Sequence, residues 1–143
     1  MGVQSESRNE KSDRERREGV KKPVAVVIAE DILPAYRKLV ETVDEEKNNG
    51  IKNSEHQQLL KSIENKIVYL KMSPQAGIAI PKAQIPKKYI ELYKVTNLWK
   101  MDLIRGWRLI YTLKNEEIEI LAVILDIYDH PTYDKVFNYR KSR

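Results

Sequence analysis

The spacing of apolar residues changes period twice along this chain, and the changes mark its elements. "PVAVVIAE", residues 23–30, is a short β-branched apolar run that predicts a buried strand, with Pro23 admissible only at its start. From Asp31, a candidate helix cap with Pro34 in the first turn, the period becomes helical. Ile32, Tyr36, Leu39, Val40 and Val43 share one face of this helix, and "NNG" at 48–50 stops it. Ser54 and Gln57 have capping-box spacing and open a second helix with the stripe Leu59, Leu60, Ile63, Ile67 and Leu70. His56, in its first turn, reads as a surface residue.

Residues 73–95 are interrupted by Pro74, Pro81 and Pro86, which predicts a loop and then a short helix near Pro86 that buries Tyr89 and Leu92 or Tyr93. From Leu98 the period falls to two. Residues 98–103, 107–113 and 118–127 read as three consecutive strands, joined by the turns "IRG" and "KNEE". The third is apolar on both faces and belongs inside the sheet. "DHPTYDKVFNY" then suits a closing helix, with Asp129 as cap and Pro131 in its first turn. The order predicts an α+β fold, a helical hairpin packed on one face of a small antiparallel sheet with a short C-terminal helix. One domain is expected over residues 23–143. Residues 1–22 carry seven Lys/Arg against five acids and almost nothing apolar, so a flexible charged tail is expected there.

Composition narrows the chemistry. Among 143 residues there is no cysteine, which removes disulfides, thiol nucleophiles and thiolate metal sites. The two histidines, His56 and His130, are far apart and have no zinc-site spacing; no metal and no small-molecule cofactor is expected, since phosphate-loop and dinucleotide motifs are also missing. No apolar run is long enough for a membrane span, and the first twenty residues have no apolar leader core, so an intracellular, cytoplasmic protein without membrane contact is expected. The formal net charge of +5 permits a polyanionic or acidic partner without requiring one.

Alternation then locates the charge. Trp107, Leu109, Tyr111 and Leu113 share one strand face, as do Trp99, Met101 and Leu103 on the strand before, and these should meet the helices. Arg108, Lys100 and Asp102 fall on the opposite, open face, with His130 and Tyr133 arriving at its rim. With Arg105 they would form a shallow basic hollow, to which Lys82, Lys87 and Lys88 add positive charge. Arginine offers a planar fork to phosphate oxygens, tyrosine can stack on a base, and histidine can move a proton near neutrality. Simpler roles stand beside these: Arg108 as the cross-strand ion-pair partner of Asp102, His130 and Lys100 as surface residues, Tyr133 as core.

The stretch "LWKMDLIRGWRLIYTL…EIEILAVILDIYDHPTYDKVF" resembles the RelE/ParE superfamily of prokaryotic toxin–antitoxin toxins. The match centres on Gly106-Trp107-Arg108-Leu109-Ile110-Tyr111, flanked by Lys100 and by a His- and Tyr-bearing C-terminal segment. The resemblance implies a metal-free endoribonuclease, an mRNA interferase that cuts messenger RNA on the ribosome through attack by the RNA 2′-hydroxyl and so inhibits translation. An antitoxin protein would neutralise it. It also implies catalytic roles for Arg108, Lys100, His130 and Tyr133, and phosphate or RNA binding by Arg105, Lys82, Lys87 and Lys88. Asp102 departs from the pattern, standing about where some members carry a second lysine. The alternative is a non-catalytic module of the same fold that binds RNA, the ribosome or a protein; a gyrase-poisoning branch of the superfamily is a third.

Overall fold

The computed structural model describes residues 22–137. The elements follow in the order β1 (Val24–Ile28), α1 (Leu33–Asn48), α2 (Glu55–Met72), β2 (Ile78–Ala79), α3 (Lys87–Tyr93), β3 (Trp99–Asp102), β4 (Arg108–Asn115), β5 (Ile120–Tyr128) and α4 (His130–Phe137). Single 3₁₀ turns occupy Lys82–Gln84 and Ile104–Gly106. The expected tail lies, apart from Lys22, outside the described residues.

Five strands form one sheet in the order β1-β5-β4-β3-β2. The β2–β3, β3–β4 and β4–β5 pairings are antiparallel, as the two short turns require, and β5 is interior as its two apolar faces demand. β1 joins β5 in parallel, which makes the sheet mixed. After the helical hairpin the chain re-enters the sheet as β2, opposite in direction to β1, and three antiparallel steps bring β5 back to the direction of β1. β2 was hidden in the Pro-punctuated loop because two residues carry no period.

The α1–α2 hairpin covers one face. Leu59, Ile63 and Leu70 of α2 meet Met101, Leu103, Leu109, Tyr111 and Ile124, with Trp99 and Trp107 packed at the margin. The tryptophan-bearing face is thus the helix-covered one. Gly77 makes this closure possible: a Cβ there would lie 2.6 Å from both the Lys100 carbonyl oxygen and the Tyr111 hydroxyl. Asp31 does not cap α1. Ile32 holds the cap position without a side-chain bond, and the Asp31 carboxylate instead accepts the Tyr93 hydroxyl at 2.7 Å. Ser54 does cap α2, accepting the Gln57 N–H at 3.1 Å, while its own hydroxyl donates to Glu46 of α1.

The opposite face is not open. Ile80, Tyr89, Val95, Leu98, Ile110, Leu125, Tyr133 and Phe137 form a second core there, roofed by α3 and α4. Ile110 and Thr112, which alternate onto the Arg108 face of β4, are both buried. Period two identifies a strand's faces, but what covers them depends on elements distant in sequence, here Tyr89 and Tyr133.

Candidate functional site

Lys100 and Arg108 do share that second face, at its β3–β4 end. The register sets Asp102 opposite Arg108 and Lys100 opposite Ile110. The Lys100 ammonium lies 5.3 Å and the Arg108 guanidinium carbon 5.4 Å from the centroid of the Tyr133 ring. Both distances suit cation–π attraction. Tyr133 itself is buried at 1% exposure and stacks on Phe137 with centroids 4.5 Å apart, so it is core and not a rim residue. Its place on α4 explains this: Asp129 caps the helix by accepting the Thr132 N–H at 2.9 Å, and Tyr133 follows on the inward side.

Arg108 is committed within the chain. Its Nε is 3.1 Å from Asp102 Oδ1, a charge contact without hydrogen-bond alignment, and an NH1 proton goes to the Gly106 carbonyl at 2.7 Å. The guanidinium side is 18% exposed and the aspartate 64%. The expected cation-lined hollow therefore contains an anion of its own. Exposure of the aspartate screens the pair, so the contact contributes only about 0–1 kcal/mol.

The Ile104–Gly106 turn sets the site's edge. Arg105 and Gly106 both adopt left-handed backbone, at φ 58° and 82°. A Cβ on Gly106 would stand 3.3 Å from the His130 Cβ, so His130 packs on the turn whose carbonyl holds Arg108. His130 Nε2 faces Asp134 at 3.4 Å and is half exposed. Arg105 leaves the group. Its Nε donates to Gln58 of α2 at 3.2 Å, on the hairpin side, because the left-handed turn reverses its direction.

Lys82 and Lys87 are exposed, on the connection before α3 and in its first turn. Lys88 is different. It donates to the Tyr128 hydroxyl at 2.7 Å; Tyr89 donates to Asp126 at 2.8 Å, and the two tyrosine oxygens are 2.9 Å apart. Burial, then the neighbouring Tyr128 and Asp126, pushes the Tyr89 hydroxyl far above its ordinary value, so it remains a proton donor. Burial opposes the charge on Lys88, but the Tyr128 bond and the Asp126 carboxylate outweigh it and raise its pKa. This network was not anticipated from the sequence. A bulge in β5, between the pairs Tyr111–Ile124 and Ile110–Asp126, leaves Leu125 extra and turns Asp126 and Tyr128 onto the Arg108 face. The register pairs Tyr128 directly with Arg108. An aspartate within an otherwise apolar run was the available signal.

Two clefts lie elsewhere. One of about 800 Å³ runs between α1 and α2 past Asp44, Lys47, Gln58 and Lys61, and an apolar one of about 390 Å³ passes Tyr36, Leu59 and Trp107. Neither contains Lys100 or Arg108. No cluster of three metal-ligating side chains and no helix long and apolar enough to cross a membrane exists among the described residues.

No protein-family model and no curated protein matches the sequence. Among solved structures, the chain is similar to an arginine-to-alanine double mutant of the E. coli toxin RelE in the free state. The two are 16% identical over 82% of this chain and 97% of that one, with a TM-score of 0.43. The likeness assigns no residue a role.

Proposed function

We propose that the protein is a RelE-like toxin that engages an RNA phosphodiester at the Lys100–Arg108–His130 edge, with Asp102 occupying the phosphate's place until RNA arrives. The observation that carries this reading is the convergence of Lys100 and Arg108, from adjacent strands, over one tyrosine ring. Two cations brought together repel, and a neighbouring anion relieves that cost; the half-solvated Asp102 is a weak occupant of such a position. The arginine fork and the lysine would hold the phosphate and stabilise charge building on it during 2′-hydroxyl attack. His130 is the group able to exchange a proton with an attacking or leaving oxygen. Translated messenger RNA is the substrate on this reading, inside the cell, and an antitoxin covering the edge is the regulator.

A second reading, RNA binding without cleavage, is favoured by the pairing of Arg108 with Asp102 and of His130 with Asp134. Mapping messenger RNA ends after induction decides between them. Metal-independent cleavage leaving 2′,3′-cyclic phosphate, abolished in a folded Arg108→Ala variant, supports the toxin. Salt-dependent binding with intact RNA supports the binding module, and cleavage that persists in Arg108→Ala refutes the site.

A further inference from the structure

The sheet has two edges of different character. β2 is two residues long, too short to template a partner strand. β1 is five residues, "VAVVI", with no charge or proline inside it and no break in its register with β5. Edges of this kind are ordinarily blunted, yet among the described residues β1 has a strand on one side only. Ile120 donates to the Pro23 carbonyl and Ala29 donates to the Ile124 carbonyl, both at 2.9 Å, so the odd-numbered residues serve β5. By alternation Val24, Val26 and Ile28 direct their N–H and C=O groups outward. Val27 leaves an apolar side chain 40% exposed beside that edge.

We propose that β1 pairs antiparallel with β1 of a second copy of this chain, about a two-fold axis at Val26, to make one continuous sheet. In this register Val26 meets its own counterpart and Val24 meets the second copy's Ile28, so every outward group finds a partner. Ala25 and Val27 then lie opposite each other across the junction, covering the exposed valine. Charge selects the same arrangement. Lys22 precedes the strand by two residues and Glu30 follows it by two, so antiparallel self-pairing sets Lys22 against Glu30 twice. Within its own chain Lys22 Nζ donates to Asn115 Oδ1 at 2.7 Å and the Glu116 carbonyl at 2.6 Å, bonds on the exposed surface that the new contact would share or replace. The symmetric pairing is the isologous contact of a closed dimer.

Sedimentation velocity of the full chain, from micromolar to submillimolar concentration, tests the proposal. A concentration-dependent dimer is expected. Val26→Pro removes the N–H at the axis, a change tolerated on an edge strand, and should leave a folded monomer. Should that variant misfold, charge exchange decides: Lys22→Glu and Glu30→Lys should each weaken the dimer about tenfold, and the double exchange should restore it. A monomer at every concentration overturns the proposal, as does a dimer indifferent to the charge exchanges. Exchange protection of the Val26 amide in the monomer, lost on deleting residues 1–21, would give the edge to the chain's own N-terminal segment and overturns it equally.

Discussion

Replacing Asp102 with asparagine tests whether that carboxylate competes with RNA phosphate. The side chain keeps its size, and Arg108 keeps its bond to the Gly106 carbonyl. Two effects favour binding. The existing contact, Nε to Oδ1 at 3.1 Å with the aspartate 64% exposed, no longer has to be broken, which is worth about 0–1 kcal/mol. A phosphate at the guanidinium also escapes repulsion from a carboxylate roughly 5 Å away, about 0.8 kcal/mol in a water-like dielectric. Together they amount to about 1 kcal/mol, or roughly fivefold tighter binding. Fluorescence anisotropy with a short single-stranded RNA, repeated across a salt series, measures this. The logarithmic salt slope should steepen by about 0.7 if one more phosphate is neutralised. Arg108→Met should weaken binding and make Asp102→Asn silent when the two are combined. Unchanged affinity in Asp102→Asn, or an equal gain on an Arg108→Met background, would refute the competition and leave the pair as an ordinary cross-strand contact.

Three other outcomes follow from the same geometry. Tyr89→Phe leaves Asp126 and Tyr128 without the hydroxyl that joins them and should cost about 1–3 kcal/mol by urea denaturation. Gly106→Ala forces a side chain into φ 82° and against His130, so it should destabilise by about 1–2 kcal/mol and shift the His130 ring resonances in NMR. Hydrogen bonds, first from Ser54 and then from His56, hold the Glu46 carboxyl below its ordinary 4.5. Its native pKa is the lower one, so the stability it contributes is complete above pH 4.5 and is lost as pH falls through the native value. Glu46→Gln should flatten the acid side of the stability profile; an unchanged profile would remove Glu46 from it.

Where one face or one turn decides, the sequence alone was sufficient. The α2 stripe, the Ser54 and Asp129 caps, the β3–β4–β5 order and the separation of Trp107 from Arg108 all follow from periodicity or local hydrogen bonding, which act within a few residues. Tertiary structure decided what those faces meet. Tyr133 became core because Phe137 and Tyr89 close over the sheet from separate helices, and that burial turned an expected open hollow into a narrow edge. The β5 bulge carried Asp126 to the Arg108 side, a change of one residue in register that alternation cannot reveal. Arg108 shows the division within a single side chain. Its face was set by strand period, whereas its contacts were set by the cross-strand register with Asp102 and by a left-handed turn. Periodicity is a property of neighbours along the chain; neutralisation and burial depend on neighbours in space.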